Sequence, residues 1–401
     1  MQPGLLDAST DLLHQMIDIR RSIHRQPELG LELPMTQQRI LDALAPLDLE
    51  IRTGTGLSSV IADLRGGAGD GPTVVLRGDM DALPLNEDTG LDFASEIAGA
   101  MHACGHDAHV AMLVGAARLL AARRAELAGT VRFMFQPGEE GFAGASLMID
   151  EGVLDGVDAA FALHISPNIP AGYIGARPGP IMASYDTIRV TVAGRGGHAS
   201  SPHLANDPVP VACEIVSAWQ TFITRRIDIF HPAVLTVGRI TAGTTSNVIP
   251  ETAKLLATLR TVSEQTRAEA KEGIERVVNG VAVAHECSAK VGIETGYPVT
   301  VNDPAVVGQL QAIVGELFGP DRYLLMENPV MGAEDFSYVL NAVPGAIAFL
   351  GVCPNSVDDP RQAPACHSNR LQLEESAMRD GAALHAAFAL DRIGTRHRSD
   401  A

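Results

Sequence analysis

Three short apolar runs in the first 166 residues end alike, on acids or a histidine. TVVL runs into RGDMD, VRFMF into QPGEE, and AAFAL into HIS. Between the first two lies MHACGHDAHVAMLVGAARLL, where apolar residues recur at helical spacing from Val110 to Leu120. Short buried strands alternating with helices predict an α/β domain: a mixed, largely parallel sheet flanked by helices. Asp79, Asp81, Glu139, Glu140 and His164 then fall just past strand C-termini, the sheet edge where such folds bind ligands.

The pattern changes near residue 182. SYDTIRVTVAGRG alternates as a half-buried strand, and SPHLANDPVPVACEIVSAWQTFIT reads as a helix. Two strands, a second helix and a last strand follow, a β-α-β-β-α-β order that predicts a small α+β, ferredoxin-like unit. After residue 297 come a helix over 303–318, the strand AIAFLGV and a helix over 373–391. At 401 residues the chain exceeds one ordinary core. The expectation is therefore a discontinuous catalytic domain, 1–181 with 297–401, holding an inserted domain, 182–296.

A formal net charge of −18 argues against nucleic acid and anionic membrane surfaces, which need basic patches. An anionic small substrate stays open if a metal supplies positive charge. No signal peptide and no membrane span are read from the sequence. Five scattered cysteines make a disulfide framework improbable and fit a reducing cytoplasm.

Cys104-Gly-His106 joins two ligands for borderline metals across one small residue. Alone it reads equally as a buried cysteine beside a capping histidine. Glu139 and Glu140 are costly neighbours unless a cation or shared proton relieves them. One can ligate a metal while the other acts as general base; the plain alternative is a solvated turn. His164 is either a ligand or a hydrogen-bonded core histidine, and His367 in PACHSN says little by itself. Asp79 and Asp81 are candidates to orient a ligating histidine, or simple turn formers. His198 in RGGH and Asn247 in TTSNVIPE could donate to an oxyanion, or be ordinary loop residues.

Taken in order, GDMDALP, MHACGHDAHVAMLVGAA, FQPGEEG, LHISPNIPAG, GGHASSPH, NVIPE, LRTVSE, YPVTVND, MGAEDFS, VPGAIAFLG and CHSN resemble the aminoacylase/carboxypeptidase metallopeptidase superfamily. The match is to the branch of hippurate hydrolases, bacterial N-acyl-amino-acid amidohydrolases and plant indole-acetyl-amino-acid hydrolases, over about residues 17–375. The resemblance implies hydrolysis of N-acyl-L-amino acids by metal-activated water at two divalent ions, manganese, nickel, cobalt or zinc. Cys104 would be shared by both ions, His106 and His164 completing one site, Glu140 and His367 the other. Glu139 would be the base, and Asp81 would support the metal shell. The insert would be a lid and dimer interface, with His198 serving a partner's site in a dimer or dimer of dimers and Asn247 binding substrate.

Asn206, the SNRLQLEE run after His367, and HISPN without an aromatic depart from the branch and put substrate preference in question. Arg177, Arg239 and Arg260 are candidates for the substrate carboxylate. A biosynthetic deacylase of acetyl- or succinyl-diaminopimelate, a dipeptidase, or a silent metal-binding scaffold are the rival readings.

Overall fold

The structure is a computed structural model that describes residues 4–394. Contacts divide the chain into two units. The first runs to Gly179, returns for Val301–Glu327 and resumes at Tyr338. The second comprises Pro180–Thr300 and Asn328–Ser337.

An eight-stranded sheet forms the first unit. Its centre is four parallel strands in the spatial order Thr130–Gln136, Thr73–Asp79, Val157–Ser166, Gly345–Gly351. These are the apolar runs of the sequence, buried nearly throughout. Antiparallel strands Val60–Arg65 and Glu50–Thr53 extend one side. Short strands Ile174–Ala176 and Tyr323–Leu325 extend the other.

Two apolar helices, His106–Ala121 and Met378–Ile393, are buried along almost their whole length. Phe161 stacks on Phe388 at 4.7 Å between ring centroids, joining sheet to helix. Truncating such a ring to alanine typically costs about 3–5 kcal/mol. The strand carrying His164 outlasts its apolar run, because Ser166 still pairs with Gly351. His164 therefore sits inside the strand, two residues before its end.

In the second unit four antiparallel strands lie in the order Ala233–Ala242, Thr252–Thr261, Asp186–Ala193, Ser288–Thr295. With helices Pro208–Arg226 and Glu264–Ala284, the chain order is the β-α-β-β-α-β expected, and the fold class is the one the sequence predicts. Trp219 centres the core and donates its indole N–H to the carbonyl of Ile274 at 3.1 Å. The first helix begins at Pro208, later than the sequence pattern suggests. Asp207 caps it by accepting the N–H of Val209, and proline fits the first helical position. Among the described residues no helix is long and apolar enough to cross a membrane.

Candidate metal centre

Gly105 positions the first pair of donors. It holds a left-handed backbone (φ 81°) at the start of the helix, and a Cβ there would lie 2.5 Å from Ile165 Cγ1. Only glycine satisfies both conditions. Cys104 and His106 thus arrive from either side of one tight turn, both buried.

His164 approaches from its strand. Its Nδ1 lies 2.7 Å from the Ile165 carbonyl, so Nδ1 carries the proton and Nε2 is left as an acceptor. That Nε2 stands 3.3 Å from Cys104 Sγ. Donor atoms of Cys104, His106 and His164 lie within 4.8 Å of one another. Those of Cys104, Glu140 and His367 do so too, as do those of His106, Glu139 and Glu140. Two donor sets therefore share Cys104, and Glu139 borders both.

Asp81 builds the carboxylate turn. Its two oxygens accept the backbone N–H groups of Glu139 and Glu140, each at 3.0 Å. Sequence reasoning gave Asp81 the orientation of a histidine; its Oδ1 is also 3.4 Å from His106 Nδ1. The hold on the turn was invisible in sequence because the partners are main-chain atoms 58 and 59 residues away. His367 reaches Glu140 at 3.2 Å from a left-handed backbone, φ 69°, whose N–H donates to the Ala103 carbonyl at 2.7 Å.

Sequence reasoning assigned no task to His109. Its Nδ1 meets Asp79 Oδ1 at 2.5 Å, and its Nε2 accepts the N–H of Ile165 at 2.8 Å. With both nitrogens engaged, His109 is a brace between Asp79 and the strand end bearing His164. A histidine one helical turn after His106 on a buried face was the available signal.

Burial alone would push the Asp79 carboxyl up. Arg77, His106 and His109 outweigh it and hold Asp79 well below the usual carboxylate range. Burial likewise opposes charge on His106, yet Asp79, Asp81 and Glu140 push it up to about 10. For Glu140, burial is outweighed by His367, His106 and His164, and its pKa falls. Neither nitrogen of His106 has a hydrogen bond of good geometry, although the ring is fully buried. Buried imidazole nitrogens that lack a well-formed hydrogen bond, amid several carboxylates, fit divalent cations.

Behind this centre Asp107 binds His24 at 2.8 Å and Arg20 at 3.1 Å. Burial lowers His24, but Asp107 and Glu87 more than reverse that and raise it to about 9.

His198 and Asn247 belong to the second unit and are exposed. They are neighbours: the N–H of Ala199 donates to the Asn247 carbonyl at 3.1 Å, and His198 pairs with Val248 in a two-residue ladder. Arg177 and Arg260 donate to the carbonyls of Glu327 and Met331, each at 2.8 Å, and Arg239 is exposed.

A family model described as peptidase family M20/M25/M40 matches residues 75–391. The chain is 38% identical over 382 residues to thermostable carboxypeptidase 1 of Saccharolobus solfataricus, covering 94% of each protein. It is 39% identical over 337 residues to an N-acetyl-L-cysteine deacetylase of Bacillus subtilis, covering 84% of this chain and 80% of that protein. A crystal structure of Bacillus subtilis YXEP protein, described as a dinuclear metal-binding peptidase, superposes with a TM-score of 0.83 at 34% identity, covering 96% and 99% of the two chains. The chain belongs to the M20/M25/M40 peptidase family and is a metal-dependent hydrolase of amide bonds.

Proposed function

We propose that the enzyme hydrolyses N-acyl-L-amino acids of the hippurate or N-acetyl-amino-acid kind, at two divalent ions held by Cys104, His106, His164, Glu140 and His367. The observation that carries the reading is the pair of donor sets sharing Cys104, with Glu139 beside both. Bound cations would lower the pKa of water from about 15.7 toward about 7 and polarise the amide carbonyl.

The protein's own groups do the rest. Glu139, fixed through its backbone by Asp81, takes the proton of the attacking water and delivers it to the leaving nitrogen. His164 offers Nε2 because Ile165 occupies Nδ1. His109 keeps that strand end in place. In a homodimer His198 of one protomer would stabilise the oxyanion in its partner's site, and Asn247 would bind substrate. Removing one such donor typically costs about 10²–10³ in kcat, and His198→Ala is expected in that range. Wild-type turnover in that variant would eliminate the role.

Thiolate and imidazole donors favour manganese, nickel, cobalt or zinc over magnesium. The likeness to an N-acetyl-L-cysteine deacetylase supports the acyl-amino-acid reading. That to a carboxypeptidase supports a second one, removal of a C-terminal residue from a short peptide. Both place the scissile amide beside a free carboxylate. A mass-spectrometric panel of N-acyl amino acids and dipeptides, with each of the four metals loaded, separates them. Turnover of dipeptides alone would overturn the first reading.

A further inference from the structure

Cys366 has no part in the chemistry above, yet the fold brings it beside Cys104, near enough for each thiol to shift the other's titration. The backbone explains the meeting. The bond from His367 N–H to the Ala103 carbonyl lays the two segments side by side, and Cys366 precedes one partner as Cys104 follows the other. Cys366 Sγ also lies 4.0 Å from the Ile165 carbonyl, beside the strand end that bears His164. Cys104 is buried and Cys366 half-buried, so a small polar oxidant meets Cys366 first. Cys213 and Cys287 belong to the second unit, and Cys353 bonds its own loop through Pro354.

We propose that Cys104 and Cys366 form a redox modification site, closing to a disulfide when the metal-free protein meets a peroxide. The Cys366 sulfur attacks one peroxide oxygen; an S–O bond forms, the O–O bond breaks, and the leaving hydroxide takes the thiol proton to become water. The Cys104 sulfur then attacks the Cys366 sulfenic acid. The S–S bond forms, the S–O bond breaks, and a second water leaves with the Cys104 proton. Two thiols are oxidised by two electrons and one hydrogen peroxide is reduced to two waters. Cysteines flanking one main-chain hydrogen bond can bring their sulfurs to the roughly 2.05 Å of a disulfide chiefly by side-chain rotation.

The disulfide removes the one donor common to both sets, so oxidation and metal occupancy exclude each other. A bound cation protects the pair by engaging the Cys104 sulfur. This exclusion rests on reading Cys104 as a ligand, whereas the linkage itself needs only the two cysteines side by side.

The test takes full-length protein, stripped by chelator or loaded with zinc, treats it with hydrogen peroxide, blocks remaining thiols and maps the digest by mass spectrometry. Stripped wild type is expected to lose two of its five thiols and to yield a linked peptide pair containing positions 104 and 366. Its zinc uptake should fall at least tenfold and return with dithiothreitol. Zinc loading should reduce the linked pair at least tenfold. Cys366→Ser, folded by circular dichroism, should give no linked pair and keep its zinc uptake after the same treatment.

Stripped wild type without the linked pair overturns the proposal. Equal linkage with and without zinc overturns the protection, and lost uptake in Cys366→Ser overturns the role of Cys366. Reduced protein that binds no zinc overturns the metal reading instead, and the linked pair is then judged alone.

Discussion

The two donor sets at Cys104 are held very differently. In the inner set, Cys104, His106 and His164 are buried, and the His164 ring is fixed by a main-chain carbonyl. In the outer set, the side chain of His367 is 57% exposed, and it meets Glu140 at 3.2 Å from a left-handed backbone. The inner donors are ordered before any ligand arrives. The outer histidine must be ordered by what it binds, and that ordering subtracts from affinity. The expected result is two unequal metal affinities at one centre, the inner ion tight and the outer one exchangeable.

The largest effect should come from the shared donor. Cys104→Ala is expected to lose both ions on dialysis and all detectable hydrolysis; retention of both would end the idea of a common ligand. Next is Glu139→Gln, for which kcat should fall about 10²–10⁴-fold while metal content stays at the wild-type level. Loss of metal in that variant would move Glu139 from base to ligand.

The comparison itself is tested by His367→Ala against His164→Ala. The first should lose the weaker ion and keep the tighter one, and the second should lose the tighter. Elemental analysis after graded chelation checks both, and identical losses would make the two sets equivalent. Asp81→Asn should weaken metal affinity or activity by about 10–100-fold, the usual cost of losing support behind a ligand.

The last effect falls on stability and leaves the metal centre alone: it belongs to His24, which touches none of the proposed ligands. Its pKa, raised to about 9 in the folded state, lies above the ordinary 6.5. Its contribution is therefore full below pH 6.5 and is lost as pH rises through 9, about 3 kcal/mol at most. Unfolding midpoints of wild type should fall across that window. His24→Gln should be less stable at pH 6 and show a shallower fall; parallel curves would refute the linkage.

Much of this was legible in the chain. Runs such as AAFAL and VRFMF announced buried strands, and the insert's alternation announced its unit, because side-chain periodicity records which faces are buried. Cys104-Gly-His106 and Glu139-Glu140 stood out because donors adjacent in sequence must share a neighbourhood. Strand order was not legible, since pairing is a property of distant partners. His367 lies more than 200 residues from Glu140 and gave no local sign. Asp81 and His109 act largely on backbone N–H groups, which every residue but proline carries, so no side-chain pattern marks their targets. The approach of Cys366 to Cys104 comes through a main-chain hydrogen bond between separate loops, which no side-chain pattern announces.

A side chain at His367 in the left-handed region ordinarily costs about 1–3 kcal/mol. The loop is thus a loaded spring, latched at one end by the Ala103 carbonyl and at the other by whatever grips the imidazole. Release of the grip lets the spring relax, and the latch is an amide proton. Deuterium uptake at the His367 N–H should then serve as a gauge of occupancy at the outer position, slow when an ion is held and fast when it is gone.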